Sequence, residues 1–124
     1  MAKPPVSTGL RAHLSGAAAE EQAARVYADL GYELVEQRWR GAAGEIDLIL
    51  RKGALLVFAE VKTGPSYEAA VARINPRQMS RVQASAALFL EQQPHGSLSE
   101  ARLDVVLVFG VGEVEILENA YGQG

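Results

Sequence analysis

The chain has 124 residues, of which 48% are hydrophobic and 22% are charged. This size and composition indicate one globular domain and argue against a disordered or collagen-like chain. The absence of cysteine excludes disulfides, thiolate zinc sites and cysteine nucleophiles, and the formal net charge of −3 at pH 7 does not by itself favour a nucleic-acid-binding protein.

The first predicted element is a helix that begins at Ser15 and stops at Gly31, because the segment between them is rich in strong helix formers. Residues 1–14 contain prolines and a glycine without hydrophobic periodicity, so we predict a flexible tail there and a single domain over 15–124. Glu20 lies on the side of the helix that we expect to face the core. The predicted core stripe consists of Ala23, Val26, Tyr27 and Leu30.

Alternating and apolar segments then predict a three-stranded meander over residues 32–40, 45–50 and 54–62. A short helix over 66–74 and a longer one over 77–93 follow, and two more strands are predicted over 102–109 and 114–117. Apart from the short helix the order is α-β-β-β-α-β-β, which predicts an α/β or α+β domain with a central mixed sheet flanked by helices.

Charged residues interrupt the two most apolar strands of the meander. Glu45 and Asp47 share one face of the first, and Glu60 and Lys62 share one face of the second. In an antiparallel pair of strands, the numbers of two facing residues have a constant sum. A turn at residues 52–53 makes this sum about 105 to 107, which brings Asp47 to within about 5 to 8 Å of Glu60. Burial of an unpaired charge costs several kcal/mol, so these groups are predicted to pair, bind a metal or line a cleft.

Clustered carboxylate oxygens favour a hard divalent cation, Mg²⁺ or Mn²⁺, over zinc. We predict that Asp47, Glu60 and the carbonyl of Val61 hold this cation, with Glu20 binding it directly or through water. Such a cation activates a water molecule and stabilises the charge that grows on a phosphodiester. Lys62 is predicted to orient that water or to help remove its proton.

At these residues the sequence resembles the PD-(D/E)XK nuclease superfamily, and more narrowly the YraN-like family of small uncharacterised bacterial proteins. The resemblance implies a restriction-endonuclease-like fold and a metal-dependent nuclease site at Glu20, Asp47, Glu60 and Lys62. The chain departs from the family pattern at Gly64, where an arginine is usual, and at Gln78, where a lysine is frequent. The matching pieces are Gly16 with Glu20, GEIDLI over 44–49, VFAEVKT over 57–63, RLDVV over 102–106 and the closing ENAY.

The distribution of charge favours a nucleic-acid partner despite the acidic total. Residues 38–81 contain eight basic and four acidic side chains, so the half of the chain with the predicted site is basic. The candidate phosphate-binding residues are Arg38, Arg40, Arg77 and Arg81, and we expect DNA rather than RNA as the partner.

The sequence leaves several alternatives open. The acids and Lys62 fit a structural ion-pair network on an exposed sheet face as well as a metal site. A non-catalytic nucleic-acid-binding module is the alternative to a nuclease, and a structural adaptor is a third hypothesis. The longest apolar run covers residues 54–59, which is too short to cross a membrane, so we expect a cytoplasmic protein, either a monomer or a homodimer.

Overall fold

The computed structural model describes residues 7–94, 96 and 99–120, and of residues 7–15 it describes the backbone alone. The elements follow the chain as α1-β1-β2-β3-α2-α3-β4-β5. The helices are α1 (Ser7–Asp29), α2 (Tyr67–Val71) and α3 (Pro76–Glu91). The strands are β1 (Glu33–Gly41), β2 (Gly44–Lys52), β3 (Leu55–Gly64), β4 (Glu100–Phe109) and β5 (Glu113–Leu117).

Helix α1 begins at Ser7, so the predicted start at Ser15 is wrong. The residues between them include Leu10, Arg11 and Ala12, which are good helix formers, and no proline interrupts them. Helical backbone therefore covers residues 7–14 of the predicted tail, whereas residues 1–6 lie outside the described residues.

The five strands form one mixed sheet in the order β1-β2-β3-β4-β5. Strands β1, β2 and β3 form the predicted antiparallel meander, and β4 and β5 pair antiparallel. Strands β3 and β4 are parallel, and α2 and α3 supply the long connection that a parallel pair requires. The predicted α/β architecture with a mixed central sheet is confirmed.

Helices cover both faces of the sheet and divide the core into two clusters. On the α1 face the small residues Ala19 and Ala23 allow the helix to lie close to the strands, whereas Leu30, a predicted core residue, is 52% exposed. On the α3 face Met79, Val82, Ala86 and Phe89 pack on the sheet, as their helical spacing predicts.

Two polar caps and one glycine position the connection between β3 and β4. The Ser66 hydroxyl accepts a hydrogen bond from the N–H of Ala69 and begins α2, and the Asn75 carboxamide begins α3. A side chain at Gly64 would bring its Cβ to 2.6 Å from the backbone nitrogen of Ala70. The close approach of α2 to the end of β3 therefore favours a glycine at position 64.

Among the described residues, none of the helices combines the length and the apolar character needed to cross a bilayer.

Candidate functional site

Two carboxylates lie where β2 and β3 stop pairing with each other. The ladder of paired residues runs from Lys52 and Leu55 to Leu48 and Ala59, in the predicted register. Beyond it the Asp47 carboxylate accepts a hydrogen bond from the Val61 N–H at 2.9 Å, and the Glu60 carboxylate accepts one from the Asp47 N–H at 3.3 Å. The two carboxylates thus accept hydrogen bonds that backbone carbonyl groups would accept in a regular ladder. These contacts confirm that Asp47 and Glu60 converge.

Strand β2 is irregular at this point. Ile46 and Ile49 both belong to the cluster on the α3 face, although strict alternation would place residues three apart on opposite faces. On the neighbouring strand Arg38 has a φ of +54°, a left-handed conformation that residues other than glycine rarely adopt. This break in alternation frees the Asp47 N–H from the ladder and makes it available to Glu60.

Burial raises the pKa of both carboxyl groups. The pKa of Asp47 rises to about 6, first because the group is desolvated and further because of the charges of Glu20 and Glu45, while the Val61 N–H opposes the rise. Desolvation, followed by the charge of Asp47, raises the pKa of Glu60 to about 8. Only 1% of the Glu60 surface is exposed. The pair therefore retains a proton near neutral pH unless a cation compensates both charges.

Lys62 is connected to Glu60 through Gln78 at the start of α3. The Lys62 ammonium donates a hydrogen bond to the Gln78 carbonyl oxygen, and the Gln78 amide donates one to Glu60 at 3.3 Å. Because the two ends of the carboxamide have different partners, its orientation is defined by chemistry. Within the described part of the chain Lys62 makes no direct ion pair with a carboxylate, so Gln78 fixes its position.

Gln78 is the site residue whose contacts sequence reasoning missed, since the sequence marked it only as a departure from a lysine. Its position at the first turn of α3 was visible, because Asn75 precedes it as a cap. The direction of its side chain depends on how α3 packs against β3, and no local pattern gives that direction.

Glu20 lies beside the site but already has a partner. The Nε of Arg38 is 2.9 Å from Oε1 of Glu20, and 50% of the Arg38 side chain and 13% of the Glu20 side chain are exposed. The influence of Glu20 on the pKa of Asp47 indicates that the two acids are near each other. The structure thus confirms that Glu20 faces inward and pairs it with Arg38.

The remaining predicted arginines, Arg40, Arg77 and Arg81, are exposed on the surface. Arg77 lines a shallow groove at the start of α3 with Asn75, Pro76 and Ser80. The Cβ of Arg81 is 3.7 Å from the position that a Cβ on Gly44 would take, so Arg81 lies beside the start of β2. Arg81 therefore lies next to the strand that carries Asp47.

A second polar cluster lies on the α1 face and ties three elements together. Asp104 is fully buried and accepts hydrogen bonds from the Tyr27 hydroxyl at 2.7 Å and from the Asn119 N–H at 2.9 Å. Arg102 binds both oxygens of the same carboxylate, at 2.8 and 2.9 Å, and also donates to the Tyr32 hydroxyl. Desolvation, followed by the charge of Asp104, raises the pKa of Tyr27. Arg102 and Asp104 thus pair with each other on β4, and the hydrogen bond from Tyr27 connects the pair to α1.

The chain was compared with protein families and with curated relatives. The sequence model of the uncharacterised protein family UPF0102 matches residues 19–108. The chain belongs to the UPF0102 family. A UPF0102 protein of Ruegeria sp. (strain TM1040) is 60% identical over 116 residues, which cover 94% of each chain. A UPF0102 protein of Ruegeria pomeroyi is 50% identical over 118 residues, which cover 95% of this chain and 96% of the relative.

The UPF0102 model matches the part of the chain that carries Asp47, Glu60 and Gln78, whereas Asn119 of the Asp104 cluster lies beyond that part. Glu20 is close to the start of that part and Asp104 is close to its end. The site therefore belongs to the portion that defines the family, and is not built on an added terminal segment.

The donor atoms present fit a magnesium-type cation that keeps several of its waters. Over residues 7–94, 96 and 99–120, no three histidine, aspartate or glutamate side chains converge to hold a metal by themselves. Mg²⁺ is commonly held by one or two carboxylates together with substrate phosphates, and Asp47 and Glu60 supply two. In an extended strand the N–H and C=O of one residue point to the same side, so the Val61 carbonyl faces the same gap as its N–H.

Proposed function

We propose that this UPF0102 protein is a metal-dependent nuclease-like protein of the PD-(D/E)XK type that acts on nucleic-acid phosphodiesters. One observation carries the proposal: Asp47 and Glu60 meet in the gap between β2 and β3, and Gln78 holds Lys62 beside them. The mixed five-stranded sheet with helices on both faces supports a restriction-endonuclease-like fold.

The proposed cation is Mg²⁺ or Mn²⁺, held by Asp47, Glu60 and the Val61 carbonyl. When bound, it lowers the pKa of a water molecule and stabilises charge on the phosphodiester. The raised pKa values of the two acids mean that binding of the cation displaces a proton from the pair. The Lys62 ammonium, held by Gln78, is placed to orient the attacking water and to stabilise negative charge next to Glu60.

Exposed arginines supply the contacts to the nucleic-acid backbone in this proposal. Arg77 and Arg81 lie one turn apart on α3, and Arg81 is beside the start of β2. Arg40 is exposed on the neighbouring edge strand β1. Phosphate contacts of this kind position a duplex without reading its sequence, and DNA remains the partner that we propose.

The alternative is a nucleic-acid-binding module that keeps the site without turnover. The ion pair between Arg38 and Glu20 favours it, because the third predicted carboxylate is occupied by a side chain of the same protein. In that case a phosphate backbone binds at the arginines, and Asp47 and Glu60 keep their shared proton.

The proposal is tested by incubating the full chain with labelled duplex, single-stranded and branched DNA and with RNA, in Mg²⁺ or Mn²⁺. We expect cleavage that is abolished by Asp47→Asn and by Lys62→Met, with Glu21→Gln as the control because Glu21 is exposed on α1. Loss of cleavage in a variant that still unfolds cooperatively identifies a catalytic role.

If no substrate is cleaved but DNA is retained at low salt, and Arg77→Ala or Arg81→Ala weakens that retention, the binding module is selected. If no nucleic acid is retained at low salt, both hypotheses fail and a structural adaptor is favoured.

A further inference from the structure

Arg38 on the edge strand β1 combines an unusual backbone conformation, an ion pair and partial exposure. Its backbone has a left-handed φ of +54°, its guanidinium contacts Glu20 at 2.9 Å, and half of its side chain is exposed. The hydrogen bond that Arg38 donates to Glu20 raises the pKa of Arg38 most, and the charges of Glu20, Glu45 and Asp47 add to the effect. The guanidinium thus contacts Glu20 and lies in the negative field of Glu45 and Asp47.

This placement makes Arg38 a competitor of a cation for Glu20. A carboxylate that is paired with a guanidinium has one oxygen engaged and its charge compensated, so its contribution to cation binding is reduced. With Arg38 in place, 13% of the Glu20 side chain is exposed, so the guanidinium shields the carboxylate from water in the free protein. An anion that binds Arg38 therefore makes the Glu20 carboxylate more available to a cation.

A phosphodiester is the anion that this geometry suits. Guanidinium groups bind phosphate oxygens in a planar, two-pronged arrangement, and the exposed half of Arg38 can reach solvent without disturbing the core. The same residue is then the partner of Glu20 in the free protein and of a phosphate in the complex.

We propose that Arg38 is a positioning residue that withholds Glu20 from the divalent cation until a nucleic-acid phosphate takes the guanidinium. The proposal rests on the proposed function and adds a coupling between the two ligands. Since coupling is reciprocal, binding of the cation to Glu20 also frees Arg38 for phosphate. Glu20 therefore has two partners in turn, and a ligand set of three carboxylates forms only in the complex.

The first measurement is the affinity of the full chain for Mn²⁺ without nucleic acid, followed by the electron paramagnetic resonance signal of unbound Mn²⁺. We expect Arg38→Asn to tighten binding by about two- to fivefold, the range of an exposed ion pair. Asparagine is chosen because it tolerates a positive φ. Arg25→Asn, which removes an exposed positive charge from α1, controls for net charge, and the double variant Arg38→Asn/Glu20→Gln is expected to lose the gain.

The second measurement is the retention of a short DNA duplex in EDTA, where no cation-dependent turnover occurs. Glu20→Gln is expected to tighten retention by about two- to fivefold by releasing Arg38, and Glu21→Gln, its exposed neighbour, by less. The gain is expected to disappear when Arg38→Asn is added. A merely structural ion pair would give neither gain, because its loss affects stability and not ligand affinity.

If the wild-type protein binds Mn²⁺ and DNA but neither variant tightens its ligand beyond the control, the coupling is refuted and the proposed function stands. If the wild-type protein binds no Mn²⁺, the metal centre of the proposed function fails and the coupling fails with it. If it retains no DNA in EDTA at low salt, the phosphate half of the coupling is refuted.

Discussion

Asp104 shows how one buried charge is satisfied in this protein. Its carboxylate has no exposed surface and receives hydrogen bonds from Tyr27, Arg102 and the Asn119 backbone. These hydrogen bonds offset the cost of burying the carboxylate, whereas its removal takes a hydrogen-bond acceptor from both Arg102 and Tyr27. The cluster therefore stabilises the junction of α1 with β4.

Replacement of Asp104 is predicted to destabilise the fold strongly. Asp104→Ala should lower the free energy of unfolding by about 3 kcal/mol, because it leaves the partly buried Arg102 charge with only the exposed Glu118 as an ion-pair partner among the described residues. Tyr27→Phe, which removes one donor, should lower it by about 1 kcal/mol. Urea unfolding measures both values, and a loss below 1 kcal/mol for Asp104→Ala would contradict this account of the cluster.

Stability in metal-free buffer is predicted to fall as the pH rises from about 5 to 8. The ordinary pKa values of Asp47 and Glu60, 3.8 and 4.5, become about 6 and about 8 in the folded protein. Between these values the folded state binds more protons than the unfolded chain, so its advantage is present in acid and is lost as the pH rises through the folded values. The loss should exceed about 1 kcal/mol, since one pKa unit corresponds to about 1.4 kcal/mol.

The double variant Asp47→Asn/Glu60→Gln serves as the control, because it lacks both titrating groups and keeps their size. Its unfolding free energy, measured in urea with EDTA, should depend less on pH over the same range. A wild-type curve that is parallel to that of the variant would show that the two acids have ordinary pKa values.

At the scale of elements, the position of the site depends on how α2 and α3 leave and return to the sheet. Gly64 allows α2 to approach the end of β3, and Asn75 accepts hydrogen bonds from the N–H groups of Arg77 and Gln78 at the start of α3. The cap thus fixes the backbone of the residue that connects Lys62 with Glu60.

Substitutions at Gly64 and Asn75 are predicted to lower the free energy of unfolding. Gly64→Ala should cost about 1 to 3 kcal/mol, because its Cβ would overlap backbone atoms of α2 that cannot move easily. Asn75→Ala should cost about 1 kcal/mol, and Asn75→Ser should restore most of it as another N-cap. Thermal and urea unfolding test both, and a neutral Gly64→Ala would contradict the close approach.

The elements were predictable because their signals are local, and the site was predictable only where it follows strand register. The turn at residues 52–53 fixes the pairing that continues toward Asp47 and Glu60, so their proximity follows from counting. The irregularity of β2 at Asp47 and the contacts of Gln78 depend on packing between elements distant in the sequence. The ion pair of Glu20 with Arg38 likewise joins residues from two elements whose relative position no spacing gives.

At the scale of the whole molecule, the polar cluster around Asp104, which stabilises the fold, is separate from the pair of Asp47 and Glu60, which we propose to bind a cation. The cluster around Asp104 lies on the α1 face, where its partners are provided by the same protein. Asp47 and Glu60 lie where two strands separate, with raised pKa values and exposed arginines nearby. Groups held in this state near a surface are typical of sites that bind a ligand.

The most direct test of the account is the thermal stability of the full chain at pH 8 as Mn²⁺ is added. At about one hundred times its dissociation constant the cation should raise the melting temperature by at least about 5 °C. Asp47→Asn should abolish the rise, and Asp29→Asn, an exposed acid at the end of α1, should preserve it. No rise in the wild-type protein, or an equal rise in Asp47→Asn, would contradict a cation site between β2 and β3.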